Sequence, residues 1–195
     1  MEDRNKIFGR IEADVYKKTL LAGYSFEVAD MISLMFRFMV DYKIEGGCLL
    51  MSVVTSLALD YAGIENNLIV GLSISQNNRI FFHHVWVEIN KKILDIAIYG
   101  NSYFNEKWIE NVVEPQVFVS RSEADISYVP NSILKNRWSS DPLSQAIGMT
   151  YYDYLNMAKE WTLVSYITNV QKDSDEWNRI LEIAKMRRIR VKKKR

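Results

Sequence analysis

The sequence predicts an α+β domain in which two helices precede an antiparallel meander and two more follow it. Three observations carry that prediction. Apolar residues recur at helical spacing from Phe26 to Tyr61, with one glycine break; three short alternating runs fill residues 67–99; and helical spacing with capping residues returns after Tyr151. A chain of 195 residues supports one domain with a substantial core and is too short for two comfortable ones. The expected organisation is a single domain over 1–186 and a basic C-terminal tail over 187–195.

Between Phe26 and Lys43, Glu27, Asp30, Arg37 and Asp41 form one polar stripe, while Val28, Met31, Ile32, Met35, Phe36, Met39 and Val40 occupy the rest of the circumference. Gly46-Gly47 ends this helix. A second begins at Cys48, with Leu50, Val53, Val54, Leu57, Ala58 and Tyr61 at helical spacing and Leu49, Met51 and Leu59 on other sides. A helix apolar nearly all round belongs in the interior, and Ala62-Gly63 closes it, glycine suiting the left-handed position. The runs Asn67–Ser75, Arg79–Asn90 and Lys91–Tyr99 read as strands joined by the polar turns Gln76-Asn77-Asn78 and Asn90-Lys91-Lys92. A fourth strand is expected at Gln116–Ser120. The polar stretch Arg121–Ser144, with Pro130 and Pro142, reads as a long loop. Helices over Tyr151–Asn169 and Ser174–Arg187 complete the domain, the last capped by Ser174 or Asp173.

Composition excludes several classes. Nearly half the residues are apolar and a quarter charged, the balance of a globular protein. The charged start Met1-Glu2-Asp3-Arg4-Asn5-Lys6 leads into no apolar run, so it does not read as a secretory signal. The most apolar stretch, Cys48–Leu59, holds Ser52, Thr55 and Ser56 and is too short to span a bilayer. A lone cysteine forms no internal disulfide, and a cytoplasmic location is expected. Net charge is +1, but residues 187–195 carry seven cations and no acid, against 18 Lys and Arg and 24 Asp and Glu in the remainder. The tail suits electrostatic tethering to an anionic partner or folding back on the acidic body. It carries no aromatic for base stacking.

One constellation points to chemistry. Cys48 stands where a helix begins, and the positive end of a helix dipole favours a thiolate. Its backbone N–H is placed to face a developing oxyanion, for which Tyr42 or an amide near Gly46 offers a second donor. In the strand His84-Val85-Trp86-Val87-Glu88, residues His84, Trp86 and Glu88 share one face, and His83, Val85 and Val87 the other. A short turn at Asn90-Lys91 brings Asp95 to the His84 face, where it can accept from one ring nitrogen while the other meets the thiol. His83 competes as the base, but strand facing favours His84. Trp86 is expected as a wall and Glu88 as a salt-bridged or solvent-facing acid. One cysteine and two adjacent histidines pointing to opposite faces make no zinc set, and neither a phosphate loop nor a dinucleotide fingerprint is present, so no metal and no cofactor are expected.

The order of a helix-opening cysteine, His84-x-Trp86-Val87-Glu88 and Leu94-Asp95 resembles the transglutaminase-like superfamily of papain-like folds. It lies nearest to bacterial transglutaminase-like domains and lasso-peptide leader peptidases. The passage through Gly63-Ile64 to Val70-Gly71 fits the same pattern. The resemblance covers about a quarter of the chain and departs from the pattern at Val85, where relatives carry alanine, and at Ile96-Ala97-Ile98-Tyr99-Gly100, where they carry a small or proline-containing segment. It implies a papain-like arrangement, with helices on an antiparallel sheet and the nucleophile at a helix N-terminus. Cys48 is then the nucleophile, His84 the base and then acid, and Asp95 the residue that orients His84. The implied activity is that of a peptidase or amidohydrolase working through a thioester acyl-enzyme on a peptide or protein substrate. Glutamine transamidation or deamidation uses the same triad. A non-catalytic binding module of this fold, relying on the tail, and acetyl transfer from coenzyme A are the other readings.

Overall fold

Helix α3 (Cys48–Tyr61) lies at the centre of the molecule, buried without a break from Met51 to Leu59. The structure, a computed structural model, describes residues 4–42, 44, 47–74, 81–99 and 114–191. Three hydroxyl residues sit inside this buried helix, and each has a partner, as burial requires. Ser52 Oγ donates to the Val85 carbonyl at 2.8 Å, Thr55 Oγ1 to the Met51 carbonyl at 2.6 Å, and Ser56 Oγ to Asn66 Oδ1 at 2.6 Å.

Helices α1 (Arg4–Leu21) and α2 (Phe26–Asp41) precede it, and α1 bridges α2 and the sheet. The charged start conceals α1 because its inward stripe is narrow: Ile11, Val15 and Thr19, four residues apart, are its buried positions. Helix α2 is as expected, with Val28, Ile32, Met35, Phe36 and Met39 inward.

Strands β1 (Asn67–Ile74), β2 (Phe81–Ile89), β3 (Lys92–Asp95), β4 (Gln116–Val119) and β5 (Ser127–Pro130) form one antiparallel sheet in the order β4-β3-β2-β1-β5. The meander and the fourth strand are therefore present. The expected turn at 76–78 lies outside the described residues. At the other hairpin Ile89 pairs with Lys92, and Asn90 and Lys91 both take positive φ (50° and 66°), the two-residue turn that suits twisted strands.

Two expectations are corrected here. The third strand stops at Asp95 instead of running to Tyr99, because Asp95 Oδ1 accepts the Ile98 N–H (3.1 Å) and starts a helical turn over 97–99. The stretch 121–144 is not simply loop: it supplies β5 on the free edge of β1, then the short helices α4 (Lys135–Trp138) and α5 (Pro142–Ala146).

The expected helix over 151–169 is two, α6 (Tyr151–Ala158) and α7 (Trp161–Thr168), broken where Lys159 turns left-handed (φ 60°). Thr150 and Asp153 form a capping box at the start of α6, and Ser174 caps α8 (Asp175–Met186) through the Trp177 N–H. The basic run joins the fold as far as Val191. Arg187 bonds Ser56 Oγ and the Asn66 carbonyl at 3.1 Å each and pairs with Asp60, while Ile189 is fully buried and bonds Met149 and Gly148 through its backbone. Residues 192–195 lie outside the described residues.

Burial is organised in two clusters on opposite faces of the sheet. Val70, Val85, Val87 and Leu94 join the helices in the main core. Ile69, Trp86, Ile93, Ile98 and Tyr128 form a smaller core on the other face, roofed by the segment from Ala124 to Ile126. Gly71, paired with His84, permits this closure: a Cβ there would lie 2.4 Å from the Val129 oxygen and 2.7 Å from Trp86 Cη2.

Candidate active site

The sheet register brings His84 and Asp95 together. Val87 pairs with Leu94, so Asp95 falls on the face of β3 shared by Trp86 and His84 on β2. The His84 Nε2–Asp95 Oδ2 distance is 2.6 Å, and both side chains are fully buried. Asp95 is held from two further sides, by the Tyr128 hydroxyl on Oδ2 (2.6 Å) and by the Ile98 N–H on Oδ1. Three donors on one buried carboxylate fix its plane. Tyr128 itself is pushed well above the usual phenol range by burial and then by the Asp95 charge, so it stays a donor.

Contact with Asp95 leaves Nδ1 as the imidazole's second nitrogen, which is buried and has no hydrogen-bond partner among the described residues. Cys48 is close enough to influence the imidazole. Ser52, one helical turn further along α3, is bonded to the carbonyl of Val85, the residue after His84. Cys48 stands about 6 Å of helical rise before that anchor, on the same helix face. Burial alone drags the imidazole down, but the Asp95 charge and hydrogen bond, followed by the interaction with Cys48, outweigh it and push His84 up to about 10. The thiol is thus near enough to act on the ring although Nδ1 and sulfur form no closed hydrogen bond, a loose approach of the kind found before substrate binds.

Cys48 is half-buried at the first position of α3, where first-turn N–H groups have no intrahelical carbonyl. Gly47 is required here for packing: a Cβ would meet Ile44 Cγ2 at 2.3 Å. Of the expected oxyanion donors, Tyr42 is exposed and stacked on Phe38, and Gly46 lies outside the described residues. Tyr154, on α6, is pushed up to about 12 by burial, then by the Cys48 and Glu160 charges, and keeps its phenolic proton.

The remaining residues sort as their strand faces predict. The Leu134 N–H donates to His83 Nε2 at 2.9 Å, so the ring proton is on Nδ1 and is donated to Asp141. With both nitrogens used, His83 ties β2 to the α4–α5 segment and has none free for proton transfer. Trp86 is a wall, stacked beside His84 at 6.2 Å, with its N–H donated to Glu88 at 3.0 Å. Glu88 is salt-bridged to Arg121 at 2.7 Å.

Tyr128 and Tyr154 escaped the sequence reading. Tyr128 sits in a stretch whose prolines signal a loop, and its alternation with Ile126 is the only trace of a strand. Tyr154 is one of several aromatics on an amphipathic helix, and nothing in its spacing points to a thiol more than a hundred residues earlier. Among the described residues no three His, Cys, Asp or Glu side chains converge as metal ligands, and no helix is long and apolar enough to cross a membrane. Comparison with protein-family models, curated proteins and solved structures finds no match for this chain.

Proposed function

We propose that this chain is a cysteine-dependent acyl-transfer enzyme, a peptidase or amidohydrolase of the transglutaminase-like type, with Cys48, His84 and Asp95 as its triad. The observation that carries the reading is the buried His84–Asp95 pair, whose remaining nitrogen, Nδ1, has no hydrogen-bond partner among the described residues and whose ring is influenced by Cys48. A structural histidine at this depth would have both nitrogens satisfied, as His83 has.

In this mechanism Nδ1 already holds the Cys48 proton, and the thiolate sulfur forms a bond to the substrate carbonyl carbon. First-turn amides of α3 face the oxyanion. Collapse of the tetrahedral intermediate breaks the carbon–nitrogen bond, and His84 returns the proton to the leaving amine. Water then attacks the thioester, losing a proton to His84, and the carbon–sulfur bond breaks to restore the thiolate beside the protonated ring. Asp95 holds the ring orientation throughout and offsets the imidazolium charge.

Intact-mass labelling with iodoacetamide between about pH 5 and 9 tests the pair. Wild type is expected to label fast at mildly acidic pH, where an isolated thiol is protonated. His84→Ala should lose that enhancement by at least about tenfold and Asp95→Asn by somewhat less. Labelling no faster than free cysteine, and unchanged by either substitution, would make Cys48 a packing residue.

A further inference from the structure

A cleft of about 1170 Å³ lies away from the triad, walled by α1, α2 and α7 and closed by the C-terminal end of α3. Its volume exceeds what a single small ligand fills, and it runs along the polar stripe of α2 from Glu27 to Arg37, about 15 Å by helical rise. An extended peptide of about five residues has that length.

The wall is electrostatically unbalanced. The Arg37 guanidinium is already committed to Glu12 across the cleft, whereas Glu27 and Asp30 have no cationic partner among the described residues. Ser33, 6% exposed, lines the same cleft, and its hydroxyl has no hydrogen-bond partner among the described residues. Gly9 leaves the α1 side open: a Cβ built there meets no atom within 4 Å. At the Arg37 end, Tyr166 leads out of the cleft through Phe38 (5.9 Å) to Tyr42 (4.3 Å), the residue that closes α2 just before the chain reaches Cys48.

We infer that this cleft is a recognition groove for a basic, extended segment of the polypeptide substrate, with Glu27 and Asp30 reading its cations. The inference rests on the proposed acyl transfer for its direction, since the aromatic row ends at Tyr42, six residues before the nucleophile in sequence. Lysine stems cover the apolar parts of the α2 wall while their ammonium groups reach the two carboxylates.

Fluorescence anisotropy with the full chain, using fluorescein-labelled pentalysine and pentaglutamate as probes, tests it. Pentalysine should bind saturably and pentaglutamate should not. Glu27→Gln with Asp30→Asn should weaken pentalysine about tenfold at moderate salt, two exposed charges each contributing modestly. Gly9→Leu fills the groove without changing charge and favours the helix, so it should weaken binding at least as much with the circular dichroism and the Cys48 labelling rate unchanged. Absence of saturable pentalysine binding, or equal binding by Gly9→Leu, overturns the groove. Intact pentalysine binding alongside an unreactive Cys48 would instead sink the enzyme reading and leave the groove as a docking site.

Discussion

The charge state of the His84–Asp95 pair can be read from stability against pH. In Cys48→Ala the thiol no longer titrates, and His84 still faces Asp95. In the native chain its folded pKa is raised to about 10, against burial, by Asp95 first and then by Cys48, and the Asp95 charge and hydrogen bond, which survive the substitution, are expected to hold it above the unfolded value. The pair's contribution is therefore complete below the unfolded pKa of about 6.5 and is lost as pH rises toward the folded value. Within that window the folded state holds one more proton than the unfolded state, so stability falls by about 1.4 kcal/mol per pH unit. From pH 7.5 to 9 the loss is at most about 2 kcal/mol. Urea unfolding followed by tryptophan fluorescence measures it, since Trp86 is wholly buried and responds to opening of the smaller core. Subtracting the profile of Cys48→Ala/His84→Gln removes the titration of other groups. Wild type then locates the thiol proton. If native Cys48 has passed its proton to His84, folded and unfolded states hold equal protons on the pair until the unfolded thiol ionises near about 8.5, so the fall begins about two units later than in Cys48→Ala. A flat difference between Cys48→Ala and the double variant would mean that buried His84 is neutral, and the ion pair would be refuted.

Two substitutions test the support of the site. Tyr128→Phe removes a 2.6 Å hydroxyl donor from a buried carboxylate and should cost about 1.5–3 kcal/mol in denaturant unfolding, with slower Cys48 labelling; a change under about 0.5 kcal/mol would show that water replaces the hydroxyl. Gly71→Ala forces its methyl against the Val129 oxygen and Trp86, and an overpacked position of this kind should lose about 1–3 kcal/mol; unchanged stability would show that β5 moves away freely.

The parts of this fold legible in the sequence are those whose signal is periodic and local. Helix α3 announces itself by apolar residues on all sides, and the β2–β3 hairpin by alternation around Asn90-Lys91, which is why the sequence alone puts Cys48 at a helix start and Asp95 on the face of His84. Helix α1 was hidden because its three buried positions among the described residues give almost no periodicity, and a charged surface reads the same on a helix as on a disordered end. The break at Lys159 was hidden because a left-handed lysine carries no glycine to mark it. Strand β5 was hidden for a different reason: it is only four residues long and ends on Pro130, tolerable because it lies at the sheet edge. What the sequence could not supply was long-range: that Tyr128 reaches Asp95, that Leu134 occupies His83, and that Arg187 returns to the end of α3.

Asp95 links fold and chemistry through different atoms. Oδ1 receives the Ile98 N–H and ends β3, while Oδ2 receives both His84 and Tyr128. Asparagine at this position can keep its carbonyl oxygen toward Ile98, preserving the turn, but its amide nitrogen cannot accept from either ring partner. Asp95→Asn therefore separates the two roles: the strand end survives and the imidazolium loses its counter-charge. Alanine removes both, so a loss of thiol reactivity in Asp95→Ala could be blamed on the chain path. The same loss in Asp95→Asn, with the sheet intact by circular dichroism, can be assigned to the carboxylate that faces His84.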